Sequence, residues 1–364
     1  MKVLIAPAQY KETISAGRAA HIMGQVVRDR GHEVHVQSIS DGGEGFLDPF
    51  LSDGAEEVKC MVSDPIGRPV QAGYAIHNGK AIIEMARASG LELVAADVRD
   101  IMKSTTYGTG QLLHDAFQRG VNSVVVSLGG SATNDGGMGM MRAMGVKFSA
   151  EDREITSFTE ACSITNISLN KYYEIFNNQI VTGACDVTNP LLGEHGATNI
   201  YGRQKGADEK QVRLLEEQMR CYASKVSKVV GFDFTDEPGT GAAGGTGFAL
   251  KSFFDATLTP GFDLMASAVQ LEKWVDWADV VITGEGKLDH QTNFGKAPER
   301  LRVMAVARAK PVVAIVGILE DGAEQGYNAV YSLSQFAGSN DEARMRAAYW
   351  IKEATGKCMD DFTA

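Results

Sequence analysis

Long apolar runs are missing from this chain. No segment approaches the ~18 residues that a membrane-spanning helix needs, and the opening MKVLIAPAQYK turns polar too early for a secretory signal. The expectation is a soluble, cytoplasmic protein. Cysteine is scarce: Cys60, Cys162, Cys185, Cys221 and Cys358 are odd in number, scattered and without a CxxC pair. That reads as reduced thiols and argues against a zinc site or a disulfide framework. Positive charge is in deficit, with 35 Lys and Arg against 46 Asp and Glu and a net charge of −11. No basic stripe is present to release counterions from nucleic acid or to bind an anionic membrane. Also absent are the GxxxxGK[ST] phosphate loop and the HRD and DFG signatures. Any phosphate chemistry here uses a different loop set.

Glycine is in excess instead, 40 of 364 residues, against roughly 7% in ordinary chains. With 44% apolar and 22% charged residues the chain is globular, and its length suits two domains. The glycines gather with Ser, Thr, Asp and Lys, most densely in NSVVVSLGGSATNDGG (122–137). An apolar strand, Val124 to Leu128, runs into a polar, glycine-rich loop and then a helix pattern, MGMMRAMG. Glycine lets backbone approach an anion, and the first N–H groups of a helix lack partners and carry the positive end of its dipole. The loop from Gly129 to Gly137 is therefore expected to hold phosphate, with Ser131 and Thr133 as donors and Asn134 and Asp135 as oxygen ligands for Mg²⁺. The plainer reading is a tight turn capped by Asn134 or Asp135.

Strand and helix patterns alternate at both ends. KVLIAP (2–7), a helix over 15–30 stopped by Gly31, and EVHVQSI (33–39) make a βαβ start. DVVITGEG (279–286), a helix over 298–309, PVVAIVG (311–317), NAVYSL (328–333) and a helix over 340–354 close the chain. In between, strands 57–62, 68–77 and 80–86 have connections short enough to imply antiparallel pairing, with Asn78–Gly79 a hairpin signal. Periodicity also predicts a strand over 179–186 and helices over 109–119, 208–228, 243–257 and 263–277. The expected fold class is α/β. Residues 1–45 and 261–364 would form a discontinuous flavodoxin-like (Rossmann) parallel-sheet domain, and 46–260 an inserted second α/β domain, with the active site in the interdomain cleft.

Further loops carry chemistry. SDGGEG (40–45) sits past the second strand, where open α/β sheets bind ligands, and offers Asp41 and Glu44. Lys11, past the first strand, can hold a carboxylate or phosphate. Asp186 ends a strand beside Thr188 and Asn189, where it can orient a hydroxyl or hold Mg²⁺. YGRQKGAD (201–208) sets Arg203 and Lys205 between glycines, which suits anions, with Asp208 a helix cap. TGEGKLDHQTNFGK (283–296) collects Glu285, Asp289 and Lys296, an acid–base set fit for Mg–phosphate handling; His290 has no Ser–His–Asp or HExxH context. PGTGAAGGTG (238–247) contains a literal GxGxxG, but Pro238 and an acidic run precede it instead of an apolar strand. Close helix packing, or a second backbone phosphate cradle, accounts for it better than a dinucleotide site.

In order and spacing these loops resemble the bacterial glycerate kinases of the two-domain α/β type. The matching segments are SDGGEG, AIIEMARASGL (81–91), TTYGTGQLL (105–113), LGGSATNDGGMGM (128–140), DVTNPLLGEHGA (186–197), QKGAD (204–208), PGTGAAGGTG and VITGEGKLDHQTNFGKAP (281–298). The likeness spans essentially the whole chain. It implies ATP and Mg²⁺, a small hydroxy-acid substrate, and phosphorylation of glycerate at the 2-hydroxyl. On that basis Asp186, Lys205, Asp289 and Lys296 are the expected catalytic groups, and Asp135, Asp186 and Asp289 the metal ligands. Gly129, Gly130, Ser131, Thr133, Asn134, Gly244 and Gly245 would contact the nucleotide; Lys11, Asp41, Glu44 and Arg203 would contact the substrate. Asp186 comes first, and Asp41 second, for orienting the acceptor hydroxyl. Nucleic acid and membrane are excluded as partners, and a homodimer stays open. The N-terminal signature departs from the family: Ala8 and Gln9 stand where it usually has Asp and Ser, and Arg203 where it has proline. These changes keep open a kinase for another hydroxy or sugar acid, or a non-catalytic binding homologue. A nicotinamide dehydrogenase rests on Gly239–Gly244 alone.

Overall fold

The computed structural model describes residues 1–10, 13–176, 178–289 and 296–363, and the chain divides into two compact units. The first comprises residues 1–41, 48–54 and 262–364; the second comprises 42–47 and 55–261. The junction expected after residue 45 is drawn differently here, because 42–47 group with the second unit and 48–54 return to the first.

The first unit opens with β1 (Lys2–Pro7) and β2 (Glu33–Val36). The second supplies β3 (Glu56–Ser63), β4 (Pro69–His77), β5 (Lys80–Glu84), β6 (Ser123–Ser127), β7 (Lys147–Ala150), β8 (Arg153–Glu154), β9 (Asn166–Ser168), β10 (Ile180–Ala184) and β11 (Thr257–Thr259). β12 (Val280–Leu288), β13 (Val312–Leu319) and β14 (Ala329–Ser332) then complete the first.

The sheet of the first unit runs β2-β1-β12-β13-β14 with every pairing parallel. Counted within the unit this is the order 2-1-3-4-5 of flavodoxin-like folds, and the topological switch falls between β1 and β12. Val3, Leu4, Ile5, Val281 and Ile282 are all fully buried, as a parallel sheet with helices on its faces requires. The helix Ala16–Asp29 turns Ala19, Ala20, Met23 and Val27 to this core, and Ser15 Oγ caps it by accepting from Arg18 N at 3.3 Å. The closing helix Ala347–Thr363 adds Ile351, Ala354 and Cys358.

The second unit has a six-stranded sheet, β11-β10-β6-β5-β4-β3, parallel apart from the antiparallel run β3-β4-β5. Asn78 and Gly79 make the expected tight turn, both at positive φ, 49° and 76°. The helix Glu209–Val230 begins in a capping box of Asp208 and Gln211 and buries Leu215, Met219, Tyr222 and Val226 in the same core as Val124, Val126 and Phe248. Three expected helices are interrupted. Gln270, at φ 52°, splits 263–277 into Gly261–Ala268 and Leu271–Trp277; the last helix divides into Asn340–Met345 and Ala347–Thr363; and Ala242–Phe254 carries non-helical backbone at Ala243, Gly244 and Gly245. No helix among the described residues is long and apolar enough to cross a membrane.

The reduced-thiol expectation is corrected at one pair: Cys162 and Cys221 form a disulfide, while Cys60, Cys185 and Cys358 are free. The short turn Phe158–Ser163 is tied to the helix Glu209–Val230, with Cys162 N donating to Gln218 Oε1 (2.8 Å) and Lys225 Nζ to Ala161 O (3.1 Å). The two cysteines are 59 residues apart, so no local spacing could announce the pairing.

Candidate active site

In the second unit three loops meet past the carboxyl ends of the parallel strands β5, β6 and β10. Gly129 N donates to Gly42 O at 3.2 Å, and the two backbones are so close that a Cβ on Gly129 would lie 2.4 Å from Gly43 Cα. Gly130 is exposed, and a Cβ on it would lie 3.9 Å from Glu44 Cβ. Asp186, also exposed, accepts from Gly261 N through Oδ1 (3.1 Å), and its Oδ2 lies 2.9 Å from where Gly42 would carry a Cβ. The structure thus brings together Glu44, Gly129, Gly130 and Asp186. Asn189 serves the loop itself, accepting from Tyr201 OH and donating to His195 O.

The rest of the 129–137 loop turns inward. Asp135 is 2% exposed, and its carboxylate accepts from Thr106 N, Thr106 Oγ1, Gly137 N and Gly139 N at 2.8–3.1 Å. Burial pushes its carboxyl up, against the pull of those hydrogen bonds. It holds the start of the helix Met138–Ala143, because the first N–H groups of a buried helix need an acceptor. Lys205, expected at the transferring phosphate, is 4% exposed and donates to Ser131 Oγ (2.9 Å) and Thr133 O (2.7 Å), propping the loop from behind. Burial pushes its ammonium down to about 7, with Asp135 opposing. Thr133 is buried, and so is Asn134, which donates to Thr198 Oγ1. Gly244 and Gly245 pack on this loop and form no open cradle: Gly136 N donates to Gly244 O, and a Cβ on Gly244 would fall 2.1 Å from Thr133 O. Arg203 pairs with Glu209 on the surface.

The first unit carries its own charged cluster past the end of β12. Lys296 Nζ lies 3.3 Å from Asp289 Oδ1 and 3.8 Å from Glu285 Oε2. Lys287 lies 3.8 Å from Asp289 and pairs with Glu320. Lys296 precedes the helix Ala297–Val306, whose first turn is held by the bidentate pair of Glu299 with Arg302. At the neighbouring end of β1, Tyr10 OH donates to Ile315 O (2.5 Å), and Gln9 Oε1 is buried with no hydrogen-bond partner among the described residues. Asp41 is half-buried just before the chain enters the second unit. Lys11 and His290 lie outside the described residues. Among the described residues no group of three or more His, Cys, Asp or Glu is placed to hold a metal.

The glycerate kinase family model matches residues 3–363. This chain belongs to the glycerate kinase family. It is 38% identical over 361 residues to the glycerate 2-kinase of Escherichia coli (strain K12), covering 96% of this chain and 94% of that one. It is likewise 38% identical to a glycerate kinase of Halalkalibacterium halodurans, covering 97% and 96%. A crystal structure from Salmonella typhimurium LT2, of a protein assigned as glycerate kinase 2, superposes with a TM-score of 0.84 at 34% identity and full coverage of both chains.

Sequence reasoning missed one residue that shapes the candidate site. Glu84, the last residue of β5, is 3% exposed and accepts from Gly45 N (2.9 Å) and Leu47 N (3.1 Å). The signal was present in AIIEMARASGL: a glutamate closing an otherwise apolar strand needs partners of its own.

Proposed function

We propose that this chain is an ATP-dependent kinase that phosphorylates glycerate at the 2-hydroxyl, giving 2-phosphoglycerate and ADP. The observation that carries the reading is Asp186, an exposed carboxylate past a parallel strand end, with one oxygen steadied by Gly261 N, beside the close-packed glycines 42, 43 and 129. Membership of the family and the name of the E. coli relative support glycerate as acceptor and the 2-position. In the transfer the acceptor oxygen bonds to the γ-phosphorus, the bond to the bridging oxygen of ADP breaks, and the hydroxyl proton leaves to a base. Asp186 orients that hydroxyl and takes the proton. Gly129 and Gly130 let a phosphate approach the backbone, and Glu44 contacts the acid. In the first unit Lys296 is held between Asp289 and Glu285.

The residues fit Mg²⁺ in part. Magnesium with a nucleotide uses one or two carboxylates together with phosphate oxygens and water. Asp186 has that chemistry at the loop edge, whereas Asp135 is committed to internal donors. The ion would neutralise charge on the phosphates of bound ATP. A cytoplasmic setting goes with ATP as co-substrate.

Coupled ADP release over a panel of hydroxy acids, with the product identified by NMR, tests the proposal. Turnover with glycerate and a phosphate on carbon 2 is the expected result. Turnover with another acid alone, a reading that Ala8 and Gln9 favour, or with none, overturns it.

A further inference from the structure

We infer that Glu84 is a positioning residue that sets the working shape of the 42–47 loop, an inference that rests on the kinase reading above. The loop is gripped on two sides. On one, Gly42 O accepts from Gly129 N at 3.2 Å. On the other, the two carboxylate oxygens of Glu84 take the N–H groups of Gly45 and Leu47, one each, at 2.9 and 3.1 Å. Gly43 and Glu44 lie between these two grips. The strand underneath is fixed: β5 pairs with β6 through Ala81 to Glu84, with Glu84 opposite Ser127. Glu84 therefore transmits the position of the sheet to the glycine-rich part of a loop whose far end is packed by the buried Phe46 and Leu47. Its charge is balanced within the same unit by Arg87 Nε at 3.7 Å, and Arg87 in turn donates to Glu57 at 3.1 Å.

A carboxylate is needed here for a stereochemical reason. Both loop groups are donors, so both side-chain oxygens must accept. In Glu84→Gln one oxygen can still accept, but the new NH₂ faces an N–H, and the loop must swing away on that side. The fold of the sheet does not depend on this bond, whereas the placement of Glu44 does. The consequence falls on the acid substrate, which Glu44 contacts, and less on ATP.

Two measurements on Glu84→Gln and Glu84→Ala test this. Hydrogen exchange is expected to speed up in peptides spanning residues 42–50 while β5 and β6 stay protected. Steady-state kinetics are expected to show KM for glycerate raised about tenfold or more, with KM for ATP within about twofold and Glu84→Gln less impaired than Glu84→Ala. Unchanged exchange over 42–50 overturns the anchoring. Faster exchange with unaltered kinetics, or equal loss for both substrates, overturns the positioning role. Should Glu84→Ala fail to fold, Glu84→Gln carries both measurements. The exchange result does not depend on which substrate is turned over, and failure of the kinase reading would show first as an inactive wild type.

Discussion

Asp186 and Asp135 make the sharpest comparison in the second unit. Each follows a strand of one parallel sheet, each sits in a polar loop rich in turn residues, and each was expected to hold a metal. The loop after β10 leaves Asp186 exposed, with Gly261 N donating to its Oδ1. The loop after β6 instead folds Asp135 under itself, where the N–H groups of Gly137 and Gly139 at the helix start and Thr106 share the carboxylate. What separates them is demand from the backbone. A buried helix start draws in the nearest acceptor, while a strand end that opens into a loop makes no such claim.

The largest expected effect tests the outward member. Asp186→Asn should lower kcat by about 10³-fold, in the range set by loss of a general base, with little change in the denaturant midpoint. Near-normal turnover in a folded protein would remove Asp186 from the mechanism. The inward member should behave in the opposite sense. Asp135→Asn should cost about 2–4 kcal/mol of stability, because a buried acceptor set is broken, while activity per folded molecule stays close to wild type. Urea titration alongside kcat reads both quantities. A stable but inactive Asp135→Asn protein would reverse the comparison.

The same contrast explains what could be read from the sequence. Strand and helix periods announced the parallel sheet of the first unit, the Asn78–Gly79 turn and the strand ending near Asp186, because these follow from local pattern. The direction in which Asp135 and Lys205 face does not follow from local pattern. It is fixed by Thr106 and Thr133, and by the packing of Gly244 against the loop, contacts made between segments far apart in the chain. Glycine density signalled close backbone approach correctly, but what approaches here is largely other backbone. Glu84 was visible as a charge in an apolar strand; its partners at 45 and 47 were not.

Lys205 gives the comparison a pH signature. Its ammonium is pushed from 10.5 down to about 7 by burial, so between those values the unfolded chain binds a proton that the native state does not. Its contribution to stability is therefore present above 10.5 and is lost as pH falls through 7. Lys205→Met removes the titrating group. Its stability relative to wild type should be most favourable near pH 7 and should decline toward pH 9.5, as urea midpoints would report. A gap that does not vary with pH would mean that Lys205 is as well solvated as a surface lysine.

Arg203 sets the lower end of the scale. As a substrate contact its removal would raise KM for the acid steeply. The structure instead pairs it with Glu209, both side chains about two-thirds exposed, in the turn just before the capping box of the long helix. Exposed pairs of this kind contribute ~0–1 kcal/mol, since water screens the charges and two flexible side chains must be ordered. Arg203→Ala should therefore leave KM for glycerate within about twofold and shift stability by no more than about 0.5 kcal/mol. A tenfold rise in KM for the acid, with KM for ATP unchanged, would show that Arg203 leaves Glu209 to meet the substrate. That outcome would move one of the residues counted here as scaffold to the working side of the comparison.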